Sequence, residues 1–408
     1  MVDEKVIQAA KERYGELLER QLKRVEGLKQ EGDWTDFSGL DRLIIGVCGG
    51  DGIGPYICAS AQKVMEALLE ERIASGNIEI RQIDGLTIER RVEVMKAIPD
   101  DTLAELKRCH VILKGPTTTP KKGDPWPNIE SANVAMRKEL DLFANIRPVS
   151  VPELGIDWTF FRENTEGGYA LGSDGYHVSD DLVMDFCVAT VQGTERILRA
   201  GFDHARKTGQ NYVSVITKAN IIKATDGLFL SLAEKVAEDY PDVEWDDWFV
   251  DIMAAKLIDP ARRSDFRVFV LPNLYGDILT DEAAQLQGGV GTAGSANAGK
   301  RYAMFEAIHG SAPRMVAEGR AQYADPSSMI KAVAMLLDHI GEAEKAKRLD
   351  MALDICVQFE RKLVMTGRSS GATGDEFAEY VMDTVHRDDL EQAWEGYVHA
   401  AKAKNVCL

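Results

Sequence analysis

The chain has 408 residues, enough for about two or three domains and an ample core. Hydrophobic residues make up 45% and charged residues 28%, an ordinary globular composition that excludes a disordered or collagen-like chain. Lysine plus arginine number 48 and aspartate plus glutamate 66, a net charge of −18. An envelope that acidic argues against nucleic acid or an anionic membrane surface as partner.

No apolar stretch approaches the roughly 18 residues of a membrane span. Met1-Val2-Asp3-Glu4-Lys5 is charged where a signal peptide would turn apolar. Cys48, Cys58, Cys109, Cys187, Cys356 and Cys407 form no CxxC pair, and they read as reduced thiols of a cytoplasmic protein.

In chain order, Ile7, Tyr14, Leu17, Leu18, Leu22, Val25 and Leu28 recur at helical spacing, so residues 1–30 read as one amphipathic helix packed on the body or on a partner subunit. Gly32-Asp33-Trp34 breaks it. A strand at 43–48, a helix at 56–72, a strand at 78–83, a helical stretch at 89–107 around Pro99 and a strand at 111–114 follow. This alternation predicts a doubly wound α/β sheet. A strand at 159–161 precedes a glycine-rich polar stretch, and a long helix is expected over 183–207. Strands at 213–216 and 267–271 flank a helix near 226–239. After Gly288-Gly289 a glycine- and alanine-rich loop is expected, then helices to the end. No Ser/Pro linker separates the halves, which implies an intimate interface between domains.

Gly49-Gly50-Asp51-Gly52-Ile53-Gly54-Pro55 joins a strand to a helix, but its evenly spaced glycines do not match the G-x-G-x-x-G dinucleotide fingerprint. It reads as a tight connection, not a Rossmann site. Beyond it, Arg137, Arg147 and Arg162 fall within a short span near strand or helix ends, with Ser131 and Asn133 nearby. Arginine suits bidentate carboxylate binding. Each alone is more often a structural salt bridge; together they could hold a multiply charged carboxylate. Asp277 and Asp281 are spaced i, i+4, so both carboxylates share a helix face. Acidic residues also favour helix N-termini for their own sake. With Asp251 as a third oxygen donor the set would suit Mg²⁺ or Mn²⁺, not zinc.

Taken together, residues 50–55, 114–120, 131–148, 161–169, 218–223, 273–283 and 306–313 make the chain resemble the β-decarboxylating isocitrate/isopropylmalate dehydrogenase family. The resemblance runs from about residue 43 to 340. It implies that family's non-Rossmann α/β fold. Residues 1–40 would be a helical extension, 41–142 with 288–408 a large domain, and 143–287 a small domain with a clasp at about 167–192. The implied activity is oxidative decarboxylation of isocitrate to 2-oxoglutarate and CO₂, with hydride transfer to NAD(P) and a need for Mg²⁺ or Mn²⁺. Homoisocitrate or 3-isopropylmalate oxidation is the alternative, and a non-catalytic regulatory subunit is an alternative of another class.

The resemblance also implies roles. Arg137, Arg147 and Arg162 would bind the α- and β-carboxylates of a tricarboxylate, and Ser131 and Asn133 would meet the γ-carboxylate. Tyr169 and Lys218 would be the catalytic pair, with Asp277 assisting. Asp251, Asp277 and Asp281 would be the metal ligands. Lys218 and Asp251 would come from the other subunit of a homodimer with shared active sites. Thr118, Thr119 and Asn220 would lie near the nicotinamide, and Glu306, His309, Gly310, Ser311 and Ala312 on the adenine side. Arg314 resembles NADP-users by charge. Met315, the 366–377 tail and Asp325, whose carboxylate would disfavour an extra phosphate, resemble NAD-users. The balance favours NAD, with NADP as the alternative. Loop 121–130, with Trp126 between two prolines, is longer than in simple relatives and borders the substrate.

Overall fold

A computed structural model describes residues 4–405 apart from 31, 33, 38, 122, 173 and 174. Cys407 and the helix-breaking Asp33 lie outside these. The elements in order are α1 (Glu4–Lys29), β1 (Leu43–Cys48), α2 (Gly54–Leu68), α3 (Glu70–Ala74), β2 (Ile78–Gln82), α4 (Ile88–Glu93), α5 (Asp100–Leu106), β3 (Val111–Lys114), α6 (Ala132–Glu139), β4 (Ala144–Val151) and β5 (Ile156–Glu163). Next come β6 (Tyr176–Ser179), β7 (Leu182–Met184), α7 (Val191–Thr208), β8 (Tyr212–Thr217), α8 (Thr225–Ala237), β9 (Glu244–Phe249), α9 (Val250–Ile258), β10 (Val268–Leu271) and α10 (Asn273–Leu286). The chain closes with β11 (Gly294–Ala298), β12 (Ala303–Ala307), α11 (Pro313–Ala317), α12 (Ser327–His339), α13 (Ala343–Asp354), α14 (Gly374–Val385) and α15 (Leu390–Asn405).

Among the described residues, ten strands form one mixed sheet in the order β2-β1-β3-β12-β11-β4-β5-β10-β8-β9. Its flanks are parallel, as β1 with β3 and β10 with β8. Its centre, where β11 meets β12 and β4 and where β4 meets β5, is antiparallel. Helices cover both faces. One core joins Ile45, Leu113 and Phe305 to Met329 and Leu337 of α12. A second, built on Phe202, Val215 and Val270, covers one face of the other flank, and Trp158, Phe160 and Phe269 anchor the opposite face. The Phe160 and Phe269 rings stack at 4.4 Å, and each such buried aromatic contributes roughly 1.5–3 kcal/mol.

Four sequence expectations need correction. The helix expected over 183–207 begins at Val191, because Leu182–Met184 pairs with β6 in a hairpin. Thr190 then caps α7, its Oγ1 accepting the Gly193 N–H at 3.0 Å. The loop expected after Gly289 contains β11 and β12. Their small residues serve close packing: a Cβ on Gly294 would lie 2.8 Å from the Ala332 nitrogen of α12. The 56–72 and 89–107 helices each divide in two. The edge strand β9, parallel to β8, had no counterpart among the expected elements.

The glycine turn is the tight connection its spacing suggested. A Cβ on Gly50, at φ +72°, would meet the Pro116 carbonyl at 2.3 Å, and one on Gly52 would meet the Ser311 carbonyl at 2.0 Å. Backbone packs on backbone there, which leaves no space for a side chain at either position.

Candidate active site

The sheet register gathers the arginines. Asn145 and Arg147 are two residues apart on β4 and so share a face. Asn145 pairs with Arg162 of β5 in antiparallel register, which makes Arg147 and Arg162 diagonal neighbours. Helix α10 crosses this face closely enough that a Cβ on Gly276 would lie 2.4 Å from Cγ of Arg162.

That approach presents the acidic face of α10 to the arginines. Arg162 donates from Nε and Nη2 to Asn273 Oδ1 at 3.0 and 2.7 Å, and from Nη1 to Asp277 Oδ1. Arg147 Nη1 donates to Thr280 Oγ1 at 2.5 Å and Asp281 Oδ1 at 3.1 Å, and its Nη2 lies 3.8 Å from Asp277. The Tyr169 hydroxyl donates to Asp277 Oδ2 at 3.0 Å, and its ring faces the Arg162 guanidinium.

Electrostatics follow from burial and crowding. Burial, then the neighbouring Arg137, lowers Arg162 to about 10. The same causes lower Arg147. Burial pushes Asp277 up, but Arg162 and Arg147 outweigh it and hold the carboxylate below its usual range. Burial and the Asp277 charge raise Tyr169, which keeps the phenol protonated at neutral pH. The Nε atoms of Arg137 and Arg147 are buried with no hydrogen-bond partner among the described residues. Unsatisfied buried donors are costly, and an anion in this pocket would satisfy them.

The remaining expected residues fall into several groups. Arg137 Nη2 lies 3.4 Å from Glu306, which is buried and also bound by Lys114 at 2.8 Å and Asn297 at 2.9 Å. Glu306 thus sits in a buried ion pair beside Arg137. Ser131 begins α6 without a side-chain capping bond, leaving its hydroxyl uncommitted there. Asn133 accepts from Thr117 at 3.0 Å. Thr118 bonds Ser311 through their hydroxyls at 2.8 Å, and Thr119, Asn220 and Gly310 are exposed. His309 bonds Ser328 at 2.9 Å, and Ala312 holds a left-handed φ of 42°. Asp325 points inward, accepting the Ser327 N–H at 2.9 Å and hydroxyl at 2.5 Å.

Lys218 and Asp251 stand apart from this cluster. They form an ion pair with each other, and Lys218 lies 5.7 Å from the Phe249 ring centroid. Among the described residues, neither bonds Asp277 or Asp281, and no group of three His, Cys, Asp or Glu side chains could hold a metal within the chain.

Several neighbours were missed. Asn273 orients Arg162, and Asp51 and Arg91 brace the Thr118 loop: Asp51 accepts the Thr118 N–H at 2.7 Å and Arg91 donates to its carbonyl at 2.8 Å. Arg320 and Arg368 join Arg314, Glu318, Ala312 and Met315 around a cavity of about 460 Å³. None of these side chains carries a periodic signal that names its distant partner, so only the fold could show these contacts.

The isocitrate/isopropylmalate dehydrogenase family model matches residues 44–363. The chain belongs to that family. It is accordingly an oxidoreductase with the family's α/β fold. It is 35% identical over 354 residues to the homoisocitrate dehydrogenase of Methanocaldococcus jannaschii, covering 81% of this chain and 96% of that protein. It is 36% identical over 312 residues to the NADP isocitrate dehydrogenase of Rickettsia prowazekii, which covers 74% of this chain and 61% of the relative's length. The crystal structure of isocitrate dehydrogenase from Methylococcus capsulatus superposes with a TM-score of 0.73 at 34% identity, over 85% of this chain and all of that one. No described helix is long and apolar enough to cross a membrane.

Proposed function

We propose that the protein oxidatively decarboxylates isocitrate to 2-oxoglutarate and CO₂, as the homodimer and with the two domains outlined from the sequence. The observation that carries this is two buried arginines, Arg147 and Arg162, converging with the part-buried Arg137 beside Tyr169–Asp277, the Nε donors of Arg137 and Arg147 having no partner among the described residues. Arg137, Arg147 and Arg162 orient the carboxylates, and a charge-assisted bond of this kind contributes about 1.5–3 kcal/mol. The Ser131 hydroxyl and Asn133 amide face the distal carboxylate. Lys218 takes the proton from the C2 hydroxyl, and Tyr169, kept protonated by its setting, delivers a proton to carbon after CO₂ leaves.

The oxygen donor set and the unpaired arginine atoms fit a divalent cation beside an anion. Asp277 and Asp281 would hold it together with Asp251 of a second copy. When bound, such a cation would supply charge stabilisation to oxygen as hydride and CO₂ depart, and NAD(P) would accept the hydride. The separation of the Lys218–Asp251 pair from Asp277 within one chain supports sites shared between two copies. So do the exposed apolar side chains Ile252 and Ile258 of α9, Leu274 and Ile278 of α10, and Leu182 and Val183 of the clasp hairpin.

The cavity at Arg314 favours the phosphorylated dinucleotide. The NAD expectation leaned on Met315, the 366–377 tail and Asp325, and the Asp325 carboxylate is turned to Ser327. Glu318 engages Arg314 at 2.6 Å and Arg320 at 2.8 Å, while the exposed Arg368 guanidinium has no hydrogen-bond partner among the described residues. Three arginines against one glutamate suit a 2′-phosphate. Homoisocitrate is the second reading, supported by the Methanocaldococcus jannaschii relative and by the exposed Gly123, Pro125, Pro127 and Asn128 in the long loop beside the substrate.

Steady-state rates decide among these readings. Purified protein is given isocitrate, homoisocitrate or 3-isopropylmalate, with NAD or NADP, with and without Mg²⁺. The expected result is metal-dependent isocitrate turnover with the higher kcat/KM for NADP. No isocitrate turnover with either dinucleotide refutes the proposal.

A further inference from the structure

Helix α1 lies outside residues 44–363, yet it reaches the segment that carries Tyr169. Leu17 is buried, Tyr14 meets the Phe186 ring at 5.7 Å, and Arg24 crosses to the bend after β5. Its Nη1 donates to Glu166 Oε1 at 2.7 Å, and its Nη2 to Thr165 Oγ1 at 3.0 Å.

That bend buries two carboxylates three residues apart. Glu163 accepts the N–H groups of Thr165 and Glu166, the latter at 2.6 Å. Glu166 accepts the Thr190 N–H at 2.8 Å and hydroxyl at 2.5 Å, which ties it to the cap of α7. Burial and the nearby Glu166 raise Glu163 to about 7. Arg196 reaches the bend at Thr165 Oγ1, 3.2 Å away, while holding Asp141 at 2.6 and 2.9 Å. Arg24 therefore places a cation directly on a buried carboxylate, and such a charge is costly without a partner.

The bend leads into the site. The Glu166 carbonyl accepts from Asn273 Nδ2 at 3.0 Å, and Tyr169 follows three residues later. Arg162 is held by two bonds to Asn273 Oδ1 and, by a contact that does not pass through Glu166, by Asp277 of α10. Loosening Glu166 should thus disturb Tyr169 before it disturbs Arg162.

We propose that Arg24 is a positioning residue for Tyr169: the N-terminal helix fixes Glu166, and with it the bend from which the tyrosine reaches Asp277. The idea rests on the functional reading of Tyr169 above, and its test has a readout independent of that reading. Arg24→Ala, Arg24→Lys and Lys23→Ala are compared in the full-length protein, by kinetics with isocitrate and by backbone amide hydrogen exchange without substrate. Lys23 is the charge-matched control, because it pairs with Glu19 at 2.7 Å on the exposed face of α1.

Arg24→Ala is expected to lower kcat by about tenfold or more with KM changed less than about threefold. Its Thr190 amide should exchange roughly tenfold faster, with the central sheet unchanged. Arg24→Lys should recover most of both, and Lys23→Ala should behave as wild type. Unchanged kcat and unchanged Thr190 exchange in Arg24→Ala overturn the proposal. So does faster exchange throughout the sheet with no rescue by lysine, which marks a general loss of stability. If the wild type turns over none of the substrates, the functional reading has failed, and the exchange comparison still tests the hold on the bend.

Discussion

Replacing Glu306 by glutamine removes a charge from the middle of the sheet and leaves its shape nearly intact. Glu306 of β12 pairs in register with Lys114 of β3, and the two side chains form a buried ion pair at 2.8 Å. Burial pushes the carboxyl up, but Lys114 and Arg137 reverse this and bring it from 4.5 to about 2. At about 1.4 kcal/mol per unit, that difference is roughly 3 kcal/mol of stability at pH 7. Stranding a buried lysine costs about 3–5 kcal/mol in comparable pairs, so two independent routes agree. Because the folded pKa is depressed, the stabilisation is present above about pH 4.5 and is lost as pH falls toward 2. The gap between wild type and Glu306→Gln should be about 3 kcal/mol at pH 7 and about 1 kcal/mol smaller at pH 4. Urea unfolding at several pH values and fixed protein concentration measures it. A gap that does not change with pH refutes the reasoning. So does unchanged stability with a raised dinucleotide KM, which would return Glu306 to the adenine-side role suggested by the family resemblance.

Three further outcomes test the site. Gly276→Ala puts a methyl 2.4 Å from the buried Arg162 stem, so kcat/KM should fall by about tenfold or more with the fold retained in circular dichroism. Arg147→Gln should cost about 1.5–3 kcal/mol of transition-state binding, roughly 10- to 150-fold in kcat/KM for the tricarboxylate, with dinucleotide KM unchanged. Arg368→Ala should raise the KM for NADP by about tenfold and leave that for NAD alone; equal effects on both would remove Arg368 from 2′-phosphate recognition.

Much of this was legible in the sequence because it is local. The alternation of strand and helix, the failed dinucleotide fingerprint and the i, i+4 spacing of Asp277 and Asp281 depend on neighbours along the chain, where periodicity and turn chemistry act. The same rules misread β11 and β12, since glycine and alanine mark a loop and a closely packed strand alike. Only the distance to α12 separates the two.

The partnerships between distant segments were decided by the tertiary structure. Nothing in the spacing of Arg162 and Asn273, or of Arg24 and Glu166, says that they meet. The β4–β5 register and the glycine at 276 bring α10 onto the arginines, and burial then sets their charges against one another. Residue types determined which chemistry the chain could perform. Packing decided which side chains are free for it: Glu306 was drawn into a buried ion pair and Asp325 into a helix start, while Arg137 and Arg147 keep donors unpaired. The physical reason is that a side chain's reactivity depends on its desolvation and on charges within a few ångströms, and both are properties of the fold.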